Sequence, residues 1–140
     1  MTFSEFRAHS EPLFRQLNIL KFTDNICIIN CIFVHDFLRG NLPRAFESIF
    51  IRADEIYSTE TRQVKSGMLF TPRYKSTEYG LKSIYKSCIN SWNSITLQIN
   101  KFRQSEYRNK LVSPDIDLKS FSRGNLNKII SEYIISTYTT

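Results

Sequence analysis

Apolar residues recur at helical spacing in several stretches of this chain, separated by polar segments that hold most of its Gly and Pro. Ser10, Glu11 and Pro12, followed by Leu13, Phe14 and Leu17, predict a short capped helix that docks by those three apolar side chains. Pro12 falls in the first turn, where its missing N–H does no harm. Thr23 is placed to cap a second helix: Asp24 suits its positive end, Ile26, Ile29, Phe33 and Phe37 repeat at helical spacing, and Gly40 stops it. Ile28 and Ile32 make this segment apolar nearly all round, the pattern of a core helix. Pro43 at a first-turn position, with Ala45, Phe46, Ile49 and Phe50 behind it, predicts a third short helix.

The pattern then fades. Residues 57–80 are rich in Ser, Thr, Lys and Arg and contain Gly67 and Pro72, which predicts a long ordered loop with a short strand at 68–70. Residues 81–86 alternate in part, as a strand would, whereas Cys88, Ile89, Trp92 and Ile95 have helical spacing; the reading is a strand turning into a helix. Residues 97–112 predict a further helix, with Ile99, Phe102 and Leu111 inward, Lys101, Arg103, Arg108 and Lys110 outward, and Pro114 as its stop. Asp117 is placed to cap the last helix, whose Leu118, Phe121, Leu126, Ile129, Ile130, Tyr133 and Ile134 form an apolar stripe. The fold class expected is mainly α with a small β element: a single compact helical domain over 1–140, with a long loop and a short strand or hairpin in the middle.

Composition agrees. A chain of 140 residues with 41% hydrophobic and 23% charged residues can bury a core without disulfide or metal staples. The longest apolar run, 26–34, is broken by Asn30 and falls well short of the ~20 residues of a spanning helix. With three cysteines, two of them in that run, no secretory leader and no Asn-x-Ser/Thr acceptor, a reduced intracellular protein, nuclear or cytoplasmic, is expected.

Charge changes the picture more. Residues 1–56 carry six Lys/Arg against seven Asp/Glu, and 111–140 carry three against three. Residues 57–110 hold Arg62, Lys65, Arg73, Lys75, Lys82, Lys86, Lys101, Arg103, Arg108 and Lys110 against Glu60, Glu78 and Glu106, an excess of +7 that exceeds the +6 of the whole chain. Tyr57, Tyr74, Tyr79, Tyr85, Trp92 and Phe102 lie among these cations. Phosphate neutralisation combined with stacking on aromatic faces is how single strands and irregular RNA are held. A solvated basic surface whose aromatics are simply core fits the same pattern.

Catalytic constellations are missing. There is no Gly-rich phosphate loop, Gly-x-Ser-x-Gly elbow, His-Glu-x-x-His or Cys-x-x-Cys pair. Cys27, Cys31 and His35 line one side of a helix, but its end members are ~12 Å apart at 1.5 Å per residue, too far for one tetrahedral ion. Buried thiols and a satisfied histidine are the simpler reading. Cys88 has no histidine near it in sequence, and Asp115-Ile116-Asp117 reads as a turn and cap rather than a cation site. No catalytic residue, metal, cofactor or small-molecule substrate is expected.

Several short motifs occur in a familiar order. Pro12-Leu13-Phe14-Arg15-Gln16-Leu17-Asn18-Ile19-Leu20-Lys21, then Asp24, then Asn41-Leu42-Pro43 are followed by Tyr57-Ser58-Thr59-Glu60-Thr61-Arg62. Next come Thr77-Glu78-Tyr79-Gly80-Leu81-Lys82-Ser83-Ile84-Tyr85, Ser91-Trp92-Asn93-Ser94-Ile95 and Leu118-Lys119-Ser120-Phe121. Over about 12–135 this resembles the C-terminal, post-thumb region of non-LTR (LINE-type) retrotransposon reverse transcriptases, jockey-like elements in particular. Ser87-Cys88 stands where that family commonly has Gly-Pro or Gly-Ala, Thr96 where it has Pro, and 98–114 reads as an insertion, the marks of a divergent copy.

The resemblance implies a fragment of an RNA-directed DNA polymerase without its chemistry. The family's carboxylates lie upstream around a Tyr-x-Asp-Asp motif, and this chain has no adjacent aspartates. What carries over is nucleic-acid handling, with RNA or DNA as partner and an upstream polymerase region if the chain belongs to a longer protein. Arg62, Arg73, Lys75, Lys82 and Lys86 are the expected main phosphate contacts, with Lys65 beside them and Lys101, Arg103, Arg108 and Lys110 as a second strip. Trp92 and Asn93 read as structural, a core anchor and a cap or turn. The competing expectation is a domesticated or relic protein-interaction module.

Overall fold

The protein is mainly α-helical in the computed structural model, which describes residues 10–65, 67–73, 83–106 and 118–138. Helix α1 (Ser10–Gln16) has Pro12 in its first turn and ends in a Schellman closure. Ile19 N–H donates to Phe14 O at 2.9 Å and Asn18 N–H to Arg15 O at 3.1 Å, with Asn18 left-handed at φ 54°. Asn is one of the few non-glycine residues that takes this conformation cheaply. Phe14 packs against the core while Leu17 remains 52% exposed, so α1 docks by only part of its expected face.

Helix α2 (Phe22–Leu38) starts one residue before Thr23, which does not cap it. The cap residue is Lys21, and no side chain near in sequence satisfies it. The distant Tyr138 hydroxyl accepts the Lys21 N–H at 3.0 Å and donates to Asp24 Oδ2 at 2.6 Å. Gly40 ends the helix as its sequence predicts, left-handed at φ 70°, with Asn41 N–H on Asp36 O at 2.9 Å. The expectation of an all-round core helix does not hold. Ile28, Cys31, Val34 and Phe37 are buried, but Phe22, Ile26 and Ile29 are exposed. Two polar residues are buried in their stead because each finds a partner: Asn30 donates to Ser87 Oγ at 3.1 Å, and His35 Nε2 lies 2.8 Å from Phe121 O.

The third helix expected after Pro43 shrinks to a 3-10 turn, Arg44–Phe46. The chain turns to bring Phe50 into the core, where its ring meets Phe33 and Phe37 edge-on and stacks on Tyr85 at 5.3 Å. Two single-turn helices follow, α3 (Ala53–Ile56) and α4 (Arg62–Lys65). The strand expected at 68–70 reduces to one antiparallel bridge, Arg52 with Leu69, and the described residues contain no strand. Residues 66 and 74–80 of the expected loop, and 81–82 of the strand expected after it, lie outside the described residues.

The largest correction concerns α5 (Ile84–Glu106), which runs unbroken through a region read as the end of a strand turning into a helix and the start of a further helix at 97–112. Ser83 Oγ accepts the Lys86 N–H, so a local cap overrides the partial alternation. At Thr96, where a proline would remove an N–H and clash with the preceding turn, the hydroxyl instead bonds Trp92 O at 2.8 Å and the helix continues. Leu118–Ser120 forms a 3-10 turn, and α6 (Arg123–Thr137) begins after it, capped by Ser122 on Asn125 N–H. The caps and stops expected at Asp117 and Pro114 lie outside the described residues.

Helix α2 packs against both α5 and α6. One core joins Ile28, Val34 and Phe37 to Ile89, Trp92, Ile95 and Ile99 of α5 and to Leu126, Ile130 and Ile134 of α6. Leu118 from the 3-10 turn completes it, 1% exposed. Among the described residues no helix is long and apolar enough to cross a membrane.

Candidate nucleic-acid interface

Residues 67–70 of the basic segment are fixed to α5 by two neighbouring residues of that helix. Trp92, wholly buried, donates its indole N–H to Gly67 O at 3.0 Å. Asn93 uses its amide as a strand would: Oδ1 accepts Leu69 N–H at 2.9 Å and Nδ2 donates to Leu69 O at 2.8 Å. On the far side of the same stretch, Ala53 N–H donates to Met68 O at 3.2 Å and Phe70 N–H to Ile51 O at 2.9 Å. Residues 67–70 are thereby held between α5 and residues 51–53. Gly67 takes φ 66°, and Met68 and Leu69 are buried. Trp92 is the anchor its spacing implies; Asn93 is structural too, but as a clamp in mid-helix rather than a cap or turn.

Of the expected phosphate contacts, Lys65, Arg73, Lys86 and Lys101 have described side chains. Lys65 ends α4, exposed, 3.6 Å from Glu60. Arg73 is exposed just past the clamped stretch. Lys86 is half-buried in the first turn of α5, and Lys101 is exposed near its other end. Fifteen residues at 1.5 Å rise put these two lysines about 22 Å apart along the axis and about 60° apart around it, so both lie toward one side. Arg62 and Arg103 belong to α4 and α5 with side chains outside the described residues. Lys75, Lys82, Arg108 and Lys110 also lie outside them.

The aromatic half of the expectation is corrected for the residues in view. Trp92 is core and Tyr85 is half-buried on Phe50, so neither offers a free face to a base. Tyr57 and Phe102 are 41% and 43% exposed, but each already meets a ring, Phe70 at 6.4 Å and Tyr133 at 5.7 Å. Tyr74 and Tyr79 lie outside the described residues. The arrangement offers charge to phosphates more than platforms to bases.

Elsewhere, basic side chains are tied to the fold. Arg15 donates to Tyr138 O, Arg39 to Phe121 O and Arg52 to Leu38 O, while Lys21 pairs with Glu11 and lies 5.0 Å from the Tyr138 ring centre. Arg123 reaches Asp36 at 3.5 Å. These cations close helix ends and loops, as their scatter through a charge-balanced stretch implies.

Among the described residues no three His, Cys, Asp or Glu could hold an ion together. His35 spends Nε2 on Phe121 O, and its buried Nδ1 has no hydrogen-bond partner, with Asp36 Oδ1 3.8 Å away. Cys31 and Cys88 are buried, Cys88 donating its S–H to Asn30 Oδ1 at 3.6 Å. The Asp115 to Asp117 turn lies outside the described residues.

What sequence reasoning missed is the clamp partner. Nothing in the composition of 67–70 announces that its backbone is held by an asparagine 24 residues away; the usable signal was the unbroken helical spacing of Ile89, Trp92, Ile95 and Ile99, which puts Asn93 beside the core. Comparisons with protein-family models, with curated proteins and with solved structures find no match for the chain.

Proposed function

We propose that the chain is a non-catalytic, intracellular nucleic-acid-binding domain, an accessory of the kind that follows the thumb in non-LTR reverse transcriptases. The observation that carries this reading is the +7 excess confined to 57–110, a segment of which residues 67–70 are anchored on α5 by Trp92 and Asn93. Fixing residues 67–70 on α5 leaves Lys65 and Arg73 on either side of an anchored stretch, which lowers the ordering cost of meeting phosphates there. Grip is electrostatic, carried by Arg62, Arg73, Lys75, Lys82 and Lys86 with Lys101, Arg103, Arg108 and Lys110 as a second strip. Chemistry is left to an upstream polymerase region.

The test is fluorescence-anisotropy binding of the folded chain to single-stranded RNA, single-stranded DNA and duplex over a salt series. Binding should fall steeply with salt, and replacing Arg73, Lys75, Lys82 and Lys86 together by Gln should lower the log-log slope by about 3. A folded chain that binds none of the three at low salt overturns the reading.

A second reading has its own observation. Phe22, Ile26 and Ile29 form an exposed apolar stripe on the outer face of α2, 79%, 42% and 58% exposed. Such a stripe suits a protein-interaction module, and that reading takes over if nucleic acid is not bound.

A further inference from the structure

Helix α2 is apolar on two opposite faces. The inner face, with Cys31 and Val34 at its centre, is buried in the core. The outer face carries Phe22, Ile26, Ile29 and Phe33 at intervals of four, three and four residues, the spacing of a coiled-coil seam. The first three are exposed and Phe33 is partly so. The seam reads the same from either end, Phe, Ile, Ile, Phe at the same intervals. We propose that a second copy of this chain covers it, the two α2 helices packing antiparallel about a two-fold axis that passes between Ile26 and Ile29.

A seam of this symmetry selects a copy of itself. Turned end for end, it brings Phe22 against Phe33 of the other copy and Ile26 against that copy's Ile29, so ring meets ring and branched side chain meets branched side chain. The two helix dipoles then run in opposite directions. Charge permits the approach as well. Asp24, the only charged residue of 22–33, accepts the Tyr138 hydroxyl at 2.6 Å and so faces α6 rather than the seam. A chain of net charge +6 can therefore meet its copy along a line that carries no charge.

The area also fits. Leu17 and Ile19 are exposed in the link that leads into α2, and the half-exposed Phe46 meets the Phe33 ring at 5.8 Å. At roughly 200 Å² for a large side chain, the exposed fractions of these three and of Phe22, Ile26 and Ile29 come to about 600 Å². A specific dimer buries about 600–1,000 Å² per partner, so this patch suits reversible pairing rather than an obligate dimer. The pairing rests on the exposed stripe and not on nucleic-acid binding, and it is measured without nucleic acid.

Sedimentation equilibrium of the full chain alone, from about 1 to 300 μM in about 0.5 M salt to screen its net charge, should show a monomer–dimer equilibrium. The dissociation constant should be on the order of tens of micromolar. Ile26→Lys or Ile29→Glu alone sets a charge against an isoleucine of the other copy and should weaken pairing about tenfold or more. The two substitutions in one chain set opposite charges against each other across an antiparallel seam, and should bring pairing back to within about threefold of the native chain. In a parallel pair the same double variant would set like against like and weaken pairing further. Both positions are exposed, so circular dichroism and the unfolding midpoint should change little. Should either variant fail to fold, Phe22→Ser, at the most exposed position of the seam, gives the same loss of pairing. A chain that stays monomeric at about 300 μM, a dimer indifferent to the single substitutions, or a double variant that pairs no better than the singles overturns the proposal. So does a monomer whose stripe binds vesicles of phosphatidylserine and phosphatidylcholine instead.

Discussion

Helix α5 holds its two neighbours by opposite means. Toward α2 and α6 it presents Cys88, Ile89, Trp92, Ile95 and Ile99, and the attachment is mainly apolar area, with Asn30 on Ser87 as a polar contact within it. Toward residues 67–70 it presents an indole N–H and an amide, and the attachment is three hydrogen bonds to main chain. Apolar packing tolerates exchange of one residue for another of similar volume. The clamp has no such tolerance, because Leu69 N–H and O need a donor and an acceptor on one side chain at the right spacing. The core therefore sets whether the chain folds, and the clamp sets where residues 67–70 lie.

Trp92 belongs to both attachments, so its loss should have the largest effect. Trp92→Ala empties the centre of the core and leaves Gly67 O without its donor, costing about 3–5 kcal/mol of stability by denaturant titration. A loss under about 1 kcal/mol would mean that the indole is not the shared anchor.

Asn93→Ala separates the two. It leaves the core intact and strands Leu69 N–H and O beneath the loop, for an expected cost of about 1–3 kcal/mol. Hydrogen exchange gives the sharper reading: Leu69 N–H should lose protection while the α2 and α6 amides lose only what the global change dictates. Asn93→Asp keeps the acceptor and loses the donor, and should fall between. If α2, α5 and α6 loosen as much as residues 67–70, the division between core and clamp fails.

The same division separates what the sequence made legible from what it did not. Burial repeats, so the apolar period announced α2 and α6 and the buried positions of α5, though it divided α5 between a strand and two helices. Single polar contacts do not repeat. Asn93 and Leu69 are 24 residues apart, and no local rule pairs them. Gly40 could be read as a stop because its left-handed closure depends on its neighbours alone, and Asn18 closes α1 by the same geometry. Thr23 was misread as a cap because the true partner of that helix start is Tyr138, more than a hundred residues away. The strand expected at 81–86 gave way, from Ile84 on, to a cap at Ser83, where one hydrogen bond decided between two weak periodicities. The cationic residues of the candidate interface were legible only as charge, since exposed side chains such as those of Lys65, Arg73 and Lys101 obey no packing period.

Tyr138 tests the comparison at its smallest scale, because it is a single hydroxyl acting as a clamp at the opposite end of the core. It accepts Lys21 N–H and donates to Asp24, tying the end of α6 to the start of α2. Tyr138→Phe keeps the buried ring and removes both bonds, at an expected cost of about 1 kcal/mol. The variant also carries a pH signature. Burial, then the bond to Asp24, raise the Tyr138 phenol above its ordinary 10. A group raised on folding contributes stability below its unfolded value, and that contribution is lost as pH climbs from there through the folded one, because the unfolded chain releases its proton first. Above pH 10 the native chain should therefore lose stability faster with rising pH than Tyr138→Phe does, with the effects of Cys31 and Cys88 common to both. Parallel stability curves from pH 9 to 11 would show that this hydroxyl holds neither helix, and that the start of α2 is kept in place by the apolar core alone.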